Sequence, residues 1–124
     1  MKTVLIVDDE LDIVEAVKAI LEEERYKVVT CGNGREALKC LEDSKPDLAI
    51  VDIMMPLMNG FETIKAIRQR PEFARLPILI MSAIHPSVRP PEYAWAGFLK
   101  KPFSLRELLE HVHRLAPKDP EEPR

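Results

Sequence analysis

No stretch of this sequence approaches the roughly 20 consecutive apolar residues of a membrane-spanning helix, so no helical membrane span is expected. The N-terminus runs from Met1-Lys2-Thr3 into a short apolar stretch. It lacks the longer apolar core and small-residue cleavage site of a signal peptide, and a cytoplasmic protein is expected. Charge of one sign is not in excess. Lys and Arg number 18, Asp and Glu 21, for a formal net charge of −3. That balance gives no general drive towards nucleic acid or an anionic membrane; docking of an acidic protein on a local basic patch stays open. Cysteine is scarce: Cys31 and Cys40 form neither a CxxC pair nor a zinc-ligand set. They read as reduced, partly buried thiols. His111 and His113 stand two apart on a helix and share no face, so with His85 they read as surface positions rather than metal ligands. No internal repeat is visible.

What is present is an ordinary globular composition. The chain has 124 residues, with 46% hydrophobic and 31% charged, which suits a single domain with one buried core. Thr3–Val7 is a β-branched run that predicts a strand buried on both faces. Leu11, Val14, Val17 and Leu21 recur at helical spacing and predict a helix over 11–24. Asp9, Glu10 and Asp12 sit at its start, where the helix dipole favours negative charge. A mixed strand over 27–30, nearer an edge, follows. After it come a turn at Gly32-Asn33-Gly34 and a short helix around Ala37, Leu38 and Leu41 that stops before Pro46. Leu48–Val51 predicts a further buried strand. Phe61, Ile64 and Ile67 mark a helix ending before Pro71. Pro77–Met81 and Gly97–Leu99 predict two more strands, and Leu105 to Leu115 carry the stripe of a last helix capped by Ser104. Residues 117–124 are polar and proline-rich and are expected to be a disordered tail.

Strands alternating with helices predict an α/β fold with a parallel sheet and right-handed crossovers. Five strands suit the doubly wound order 2-1-3-4-5, whose ligand site lies beyond the carboxyl ends of the strands. Asp8 and Asp9 follow the first strand and Asp52 follows the third. Those strands would be neighbours, about 4.8 Å apart. Carboxylates that close raise one another's pKa unless a cation joins them. The donors are all hard oxygen, which points to Mg²⁺. Ser82 follows the fourth strand and Lys101 the fifth. A carboxylate nucleophile beside a metal, an ammonium and a hydroxyl donor has the parts phosphoryl transfer needs.

The motifs VLIVDDE (4–10), DIMMPLMNG (52–60), MSA (81–83) and LKKPF (99–103) together resemble a response-regulator receiver domain over residues 2–115. The resemblance implies a flavodoxin-like (βα)₅ domain over residues 1–116. It implies that Asp52 takes a phosphoryl group from the phosphohistidine of a sensor kinase or phosphotransfer protein, in a Mg²⁺-dependent reaction. Asp8 and Asp9 match the acidic pair, Asp9 being the more direct metal ligand, and the backbone carbonyl of Met54 matches the third protein ligand. Ser82 matches the switch hydroxyl, Phe98 the switch aromatic and Lys101 the phosphate-pairing lysine. Its bond to Pro102 is cis in the family. Lys100 and Lys101 point to opposite faces of a strand, and only the lysine abutting Pro102 matches. Pro56 is expected to fix φ after Asp52, and Gly60 to allow a tight turn into the next helix.

The chain departs from the pattern between Ser82 and Phe98. Pro86, Pro90 and Pro91 interrupt a stretch where receivers carry a full helix, and proline inside a helix costs about 3 kcal/mol. A short or irregular helix is expected there. Tyr93 and Trp95 in that stretch are expected to pack locally or to meet a partner. Met54 and Ile84 are apolar where the family modulates water access, so slow self-hydrolysis of the phosphoryl group is expected. The expected function is a phosphorylation-controlled switch, monomeric or weakly dimeric, that changes binding to a downstream protein. It is expected to carry no output domain, to contact neither nucleic acid nor membrane directly, and to have no turnover substrate. One rival is a Mg²⁺-dependent phosphatase, whose DxD motif is absent. The other is an unphosphorylated interaction module, which would lack the Asp, Lys or Ser that is present here.

Overall fold

The computed structural model describes residues 1–55, 59–83 and 96–119. Along the chain run β1 (Thr3–Val7), α1 (Leu11–Glu23), β2 (Lys27–Cys31), α2 (Gly34–Ser44), β3 (Leu48–Asp52) and α3 (Gly60–Arg68). A 3₁₀ turn (Pro71–Phe73), β4 (Ile78–Ser82), β5 (Gly97–Lys100) and α4 (Leu105–Leu115) follow. The strands form one parallel sheet in the order β2-β1-β3-β4-β5, as the alternation of elements predicted. The helix expected between Ser82 and Phe98, with Tyr93 and Trp95, and the Pro56 turn lie outside the described residues.

The apolar runs have no polar alternation because both faces of the sheet are covered. Leu5, Val7, Ala49, Val51, Ile78 and Ile80 meet Ala37 and Leu41 of α2 and Ile64 and Ile67 of α3. On the other face Val4, Ile6, Ile50, Leu79 and Met81 meet Val14, Val17 and Leu21 of α1 and Leu108 and Val112 of α4. Each fully buried aliphatic side chain of this kind stabilises the fold by about 1.5–3 kcal/mol.

Helix ends show where local chemistry set the boundaries. Asn59 and Ser104 each form a capping box, with Glu62 and Glu107 respectively, and the Asn33 side chain accepts from the Glu36 N–H at 3.0 Å. Ser104 was expected; the two asparagines were not. Beyond α1, Arg25 takes a left-handed conformation (φ 68°), and the C-cap of α2, Lys45, does likewise (φ 46°), with no glycine to announce either turn. The fourth strand starts one residue later than expected. Pro77 accepts from the Ala49 N–H at 3.1 Å but has no N–H of its own to continue the ladder.

Two expectations change. The chain after Leu115 does not leave the body at once: Tyr26 Oη donates to Ala116 O at 2.7 Å, Lys118 Nζ lies 3.4 Å from Glu24, and the N-terminal ammonium lies 3.2 Å from Asp119. Residues 117–119 therefore pack on the domain, and 120–124 lie outside the described residues. His113 is also not a purely solvated side chain. Its ring stacks on Tyr26, centroids 6.1 Å apart, and Nε2 lies 3.2 Å from Glu24 Oε1, which ties α4 to the turn after α1.

Candidate functional site

The sheet register brings the chemistry-bearing residues together. Val7 pairs with Val51, so Asp8 and Asp52 are the next positions on neighbouring strands. Asp52 pairs with Met81, and Ser82 with Lys100. The Lys101 N–H donates to Ser82 O at 2.8 Å. Ser82 is fully buried at this rim, and Phe98 on β5 is half-buried against the α2–α3 core. Lys100 is exposed, whereas the Lys101 side chain is only 10% exposed and turns into the site. The Lys101–Pro102 peptide bond is cis.

Lys101 Nζ stands among three carboxylates: 2.5 Å from Glu10 Oε1, 3.0 Å from Asp8 Oδ2 and 3.3 Å from Asp52 Oδ2. Asp8 Oδ1 accepts from the Glu10 N–H at 2.9 Å, and Asp52 Oδ1 from the Met54 N–H at 3.2 Å. Burial, and then the charge of Asp8, push the Asp52 carboxyl up to about 6 against the pull of Lys101. Burial acts to lower Lys101, but its bonds to Glu10 and Asp8 and the charge of Asp8 and Asp52 outweigh that and hold it above the usual lysine value. Asp52 is thus still mostly ionised at neutral pH but poorly compensated.

Gly60 has a different role from the expected turn. No described glycine has positive φ. A Cβ on Gly60 would lie 2.4 Å from Asp52 O and 2.6 Å from Ile53 Cα. The helix start therefore rests directly on the backbone that carries Asp52, fastened by Gly60 N–H to Ile53 O at 2.9 Å.

The carboxylate group differs from the expected one. Donor oxygens of Asp8, Glu10 and Asp52 all lie within 4.8 Å of one another, whereas Asp9 is exposed and outside this group. Glu10 was assigned only to the helix dipole. The signal was its place in the acidic triplet, but which of Asp9 and Glu10 turns inward depends on where α1 begins. Met54 contributes its N–H, and its side chain is exposed; Ile84 lies outside the described residues. Three hard-oxygen donors this close fit a divalent cation such as Mg²⁺, and the Lys101 ammonium is the cation now among them. The two cysteines are free, with Cys31 buried and Cys40 half-buried; burial pushes the Cys31 thiol up to about 12, an inert group. No described helix is long and apolar enough to cross a membrane.

Comparison with known proteins agrees with this geometry. Residues 4–113 match the response regulator receiver domain family. The chain is 39% identical over 114 residues to the alkaline phosphatase synthesis transcriptional regulatory protein PhoP of Bacillus subtilis, covering 90% of this chain and 47% of that protein. It is 35% identical over 116 residues to the response regulator SaeR of Staphylococcus aureus, covering 93% of this chain and 50% of that one. The chain thus spans about half the length of these curated relatives. Among solved structures, Vibrio cholerae chemotaxis protein CheY4 superposes with a TM-score of 0.87 at 35% identity, over 93% of this chain and 98% of that one. The Thermotoga maritima response regulator TrrA, solved in complex with Mg²⁺–BeF, gives 0.83 at 37% identity, over 93% of this chain and 99% of that one. With that sheet order, that acidic rim and these matches, the chain belongs to the response regulator receiver domain family of two-component systems.

Proposed function

We propose that this chain is a phosphorylation-controlled switch that accepts a phosphoryl group on Asp52 from the phosphohistidine of a sensor kinase or phosphotransfer protein. The observation that carries the reading is the state of Asp52: 2% exposed, ionisable near pH 6, and sharing one lysine with two other carboxylates. A carboxylate left so weakly compensated keeps its electron pair available to an electrophilic phosphorus.

An oxygen of Asp52 attacks phosphorus as the P–N bond to the donor imidazole breaks. A P–O bond forms, and the released imidazole nitrogen takes a proton. Lys101 pairs with the added charge, and the Met54 N–H holds the second Asp52 oxygen. Asp8 and Asp52, the buried pair of the acidic group, would hold Mg²⁺, which when bound would neutralise developing charge on the phosphoryl oxygens. Gly60 keeps the acceptor's backbone in place. Beside Lys101 a cleft of about 400 Å³, lined by Glu10, Ile13, Ala83, Lys101, Pro102 and Phe103, leaves room for the donor's side chain. Readout follows from Ser82 and Phe98. A hydroxyl drawn towards the new charge moves the start of the loop after β4, and the Phe98 ring takes the space released. The altered surface then changes binding to a downstream protein. The chain acts in the cytoplasm as a monomer or weak dimer and turns over no separate substrate.

The test is to incubate the wild type and Asp52→Asn with acetyl phosphate, in Mg²⁺ and in EDTA, and to read intact mass. One phosphoryl adduct is expected on the wild type in Mg²⁺ only. Equal labelling of Asp52→Asn, or no labelling of the wild type, overturns the proposal.

A further inference from the structure

The shortest contact of Lys101 is not with the phosphoryl acceptor but with Glu10, a residue at the edge of the site. Glu10 is the N-cap of α1, yet its side chain makes no capping hydrogen bond. Its carboxylate is turned instead to Lys101 Nζ at 2.5 Å, while its N–H is tied to Asp8 Oδ1 at 2.9 Å. We infer that Glu10 is a positioning residue that competes with the phosphoryl group for Lys101, so that the Glu10–Lys101 pair holds the switch towards its unphosphorylated state. The inference rests on the function proposed above.

The argument is one of shared charge. A single ammonium has three donors, and all three are engaged by carboxylates in the resting site. Phosphorylated Asp52 carries up to about two negative charges where the carboxylate carried one, and it sets strong acceptor oxygens next to Nζ. Lys101 can meet them fully only by loosening an existing contact. The Asp8 side chain is fully buried, and an uncompensated buried carboxylate is costly. The Glu10 side chain is 55% exposed, so water can solvate it when the lysine departs. The exchange therefore takes place at Glu10. Loss of its charge should favour the phosphorylated form by what a half-exposed ion pair contributes, a factor of about two to five.

Beryllofluoride, a phosphoryl analogue, tests this without hydrolysis. Its affinity for the full chain is measured by calorimetry at saturating Mg²⁺ in the wild type, Glu10→Gln and Asp12→Asn. Asp12 lies in the same first helical turn but makes no contact with Lys101, so its loss reports the general effect of removing one negative charge. The Lys101 ¹⁵Nζ resonance, assigned by its disappearance in Lys101→Arg, provides a signature of the pair itself. The expected result is beryllofluoride binding about two- to fivefold tighter in Glu10→Gln, little change in Asp12→Asn, and a shifted Lys101 resonance in Glu10→Gln alone. Unchanged or weaker binding in Glu10→Gln, or an equal gain in Asp12→Asn, overturns the inference. A wild type that binds no beryllofluoride at all contradicts the proposed function instead.

Discussion

Replacing Asp52 by asparagine should make the protein more stable, although it removes a buried ionic contact. The Asp52 carboxyl is raised from 3.8 to about 6, first by burial and then by the charge of Asp8. An acid raised in the folded state binds its proton more tightly there than in the unfolded chain. At pH well above 6 the group is ionised in both states, and the fold bears the whole cost of keeping it so. As pH falls from about 6 towards 4, the folded protein takes up the proton first and the cost disappears. Each pH unit of displacement represents about 1.4 kcal/mol, so the cost at neutral pH is on the order of 3 kcal/mol. That displacement already contains the attraction of Lys101.

Asparagine has nearly the same shape. Its oxygen can still face the Met54 N–H or Lys101, with its NH₂ towards Asp8. Part of the gain is lost in that compromise, and a stabilisation of about 1–3 kcal/mol is expected at pH 7.5. Urea unfolding in EDTA, followed by circular dichroism at pH 7.5 and pH 4.5, measures it. The wild-type deficit should be largest at pH 7.5 and mostly gone at pH 4.5. An Asp52→Asn protein less stable than wild type at pH 7.5, or a difference that does not shrink with acid, would refute the account of Asp52 as an undercompensated buried charge.

Two further outcomes follow from contacts away from that charge. Gly60→Ala normally favours a helix by about 1 kcal/mol, but here the new methyl meets Asp52 O and Ile53 Cα, both rigid backbone. A net loss of about 1–3 kcal/mol in urea unfolding and slower labelling by acetyl phosphate are expected; a more stable protein would show that α3 can back away from β3. Tyr26→Phe removes the donor to the buried Ala116 carbonyl and should cost about 1–3 kcal/mol in the same assay, while labelling of Asp52, at the opposite ends of the strands, stays unchanged.

Most of the sheet was legible because burial on both faces writes itself as unbroken apolar runs. Thr3–Val7 and Leu48–Val51 need no partner residue to be recognised as such. Strand order followed from alternation with helices, and it put Asp8, Asp52, Ser82 and Lys101 on one rim before any geometry was known. What escaped depended on a residue or so of register. Asp9 and Glu10 are chemically interchangeable in the acidic run, and only the start of α1 at Leu11 decides that Glu10 faces Lys101. Gly60 looked like a turn glycine because it lies between the Pro56 loop and the next helix; the real constraint, a backbone 2.4 Å from a missing Cβ, lies in a contact no local pattern encodes. The packing of His113 on Tyr26 was missed for the same reason, since the two residues are far apart in sequence.

The distribution of charge around Lys101 explains why the resting site is both costly and usable. Had the lysine served Asp52 alone, a close ion pair would have lowered the acceptor's pKa and bound up the electron pair that must reach phosphorus. Sharing it with Asp8 and Glu10 leaves Asp52 ionised at neutral pH but only partly neutralised. Three carboxylates against one ammonium leave an excess of negative charge at the rim, and every state that adds a cation relieves it. A divalent cation between Asp8 and Asp52 would therefore be stabilised by the same repulsion that weakens the metal-free fold. With a cation there the lysine would no longer be the only counter-charge for Asp8 and Asp52, and its contact with Glu10 would be the one left to exchange for a phosphoryl group. On this reasoning the instability of the resting site and the proposed phosphorylation of Asp52 have one physical origin, and a substitution that cures the first, such as Asp52→Asn, must abolish the second.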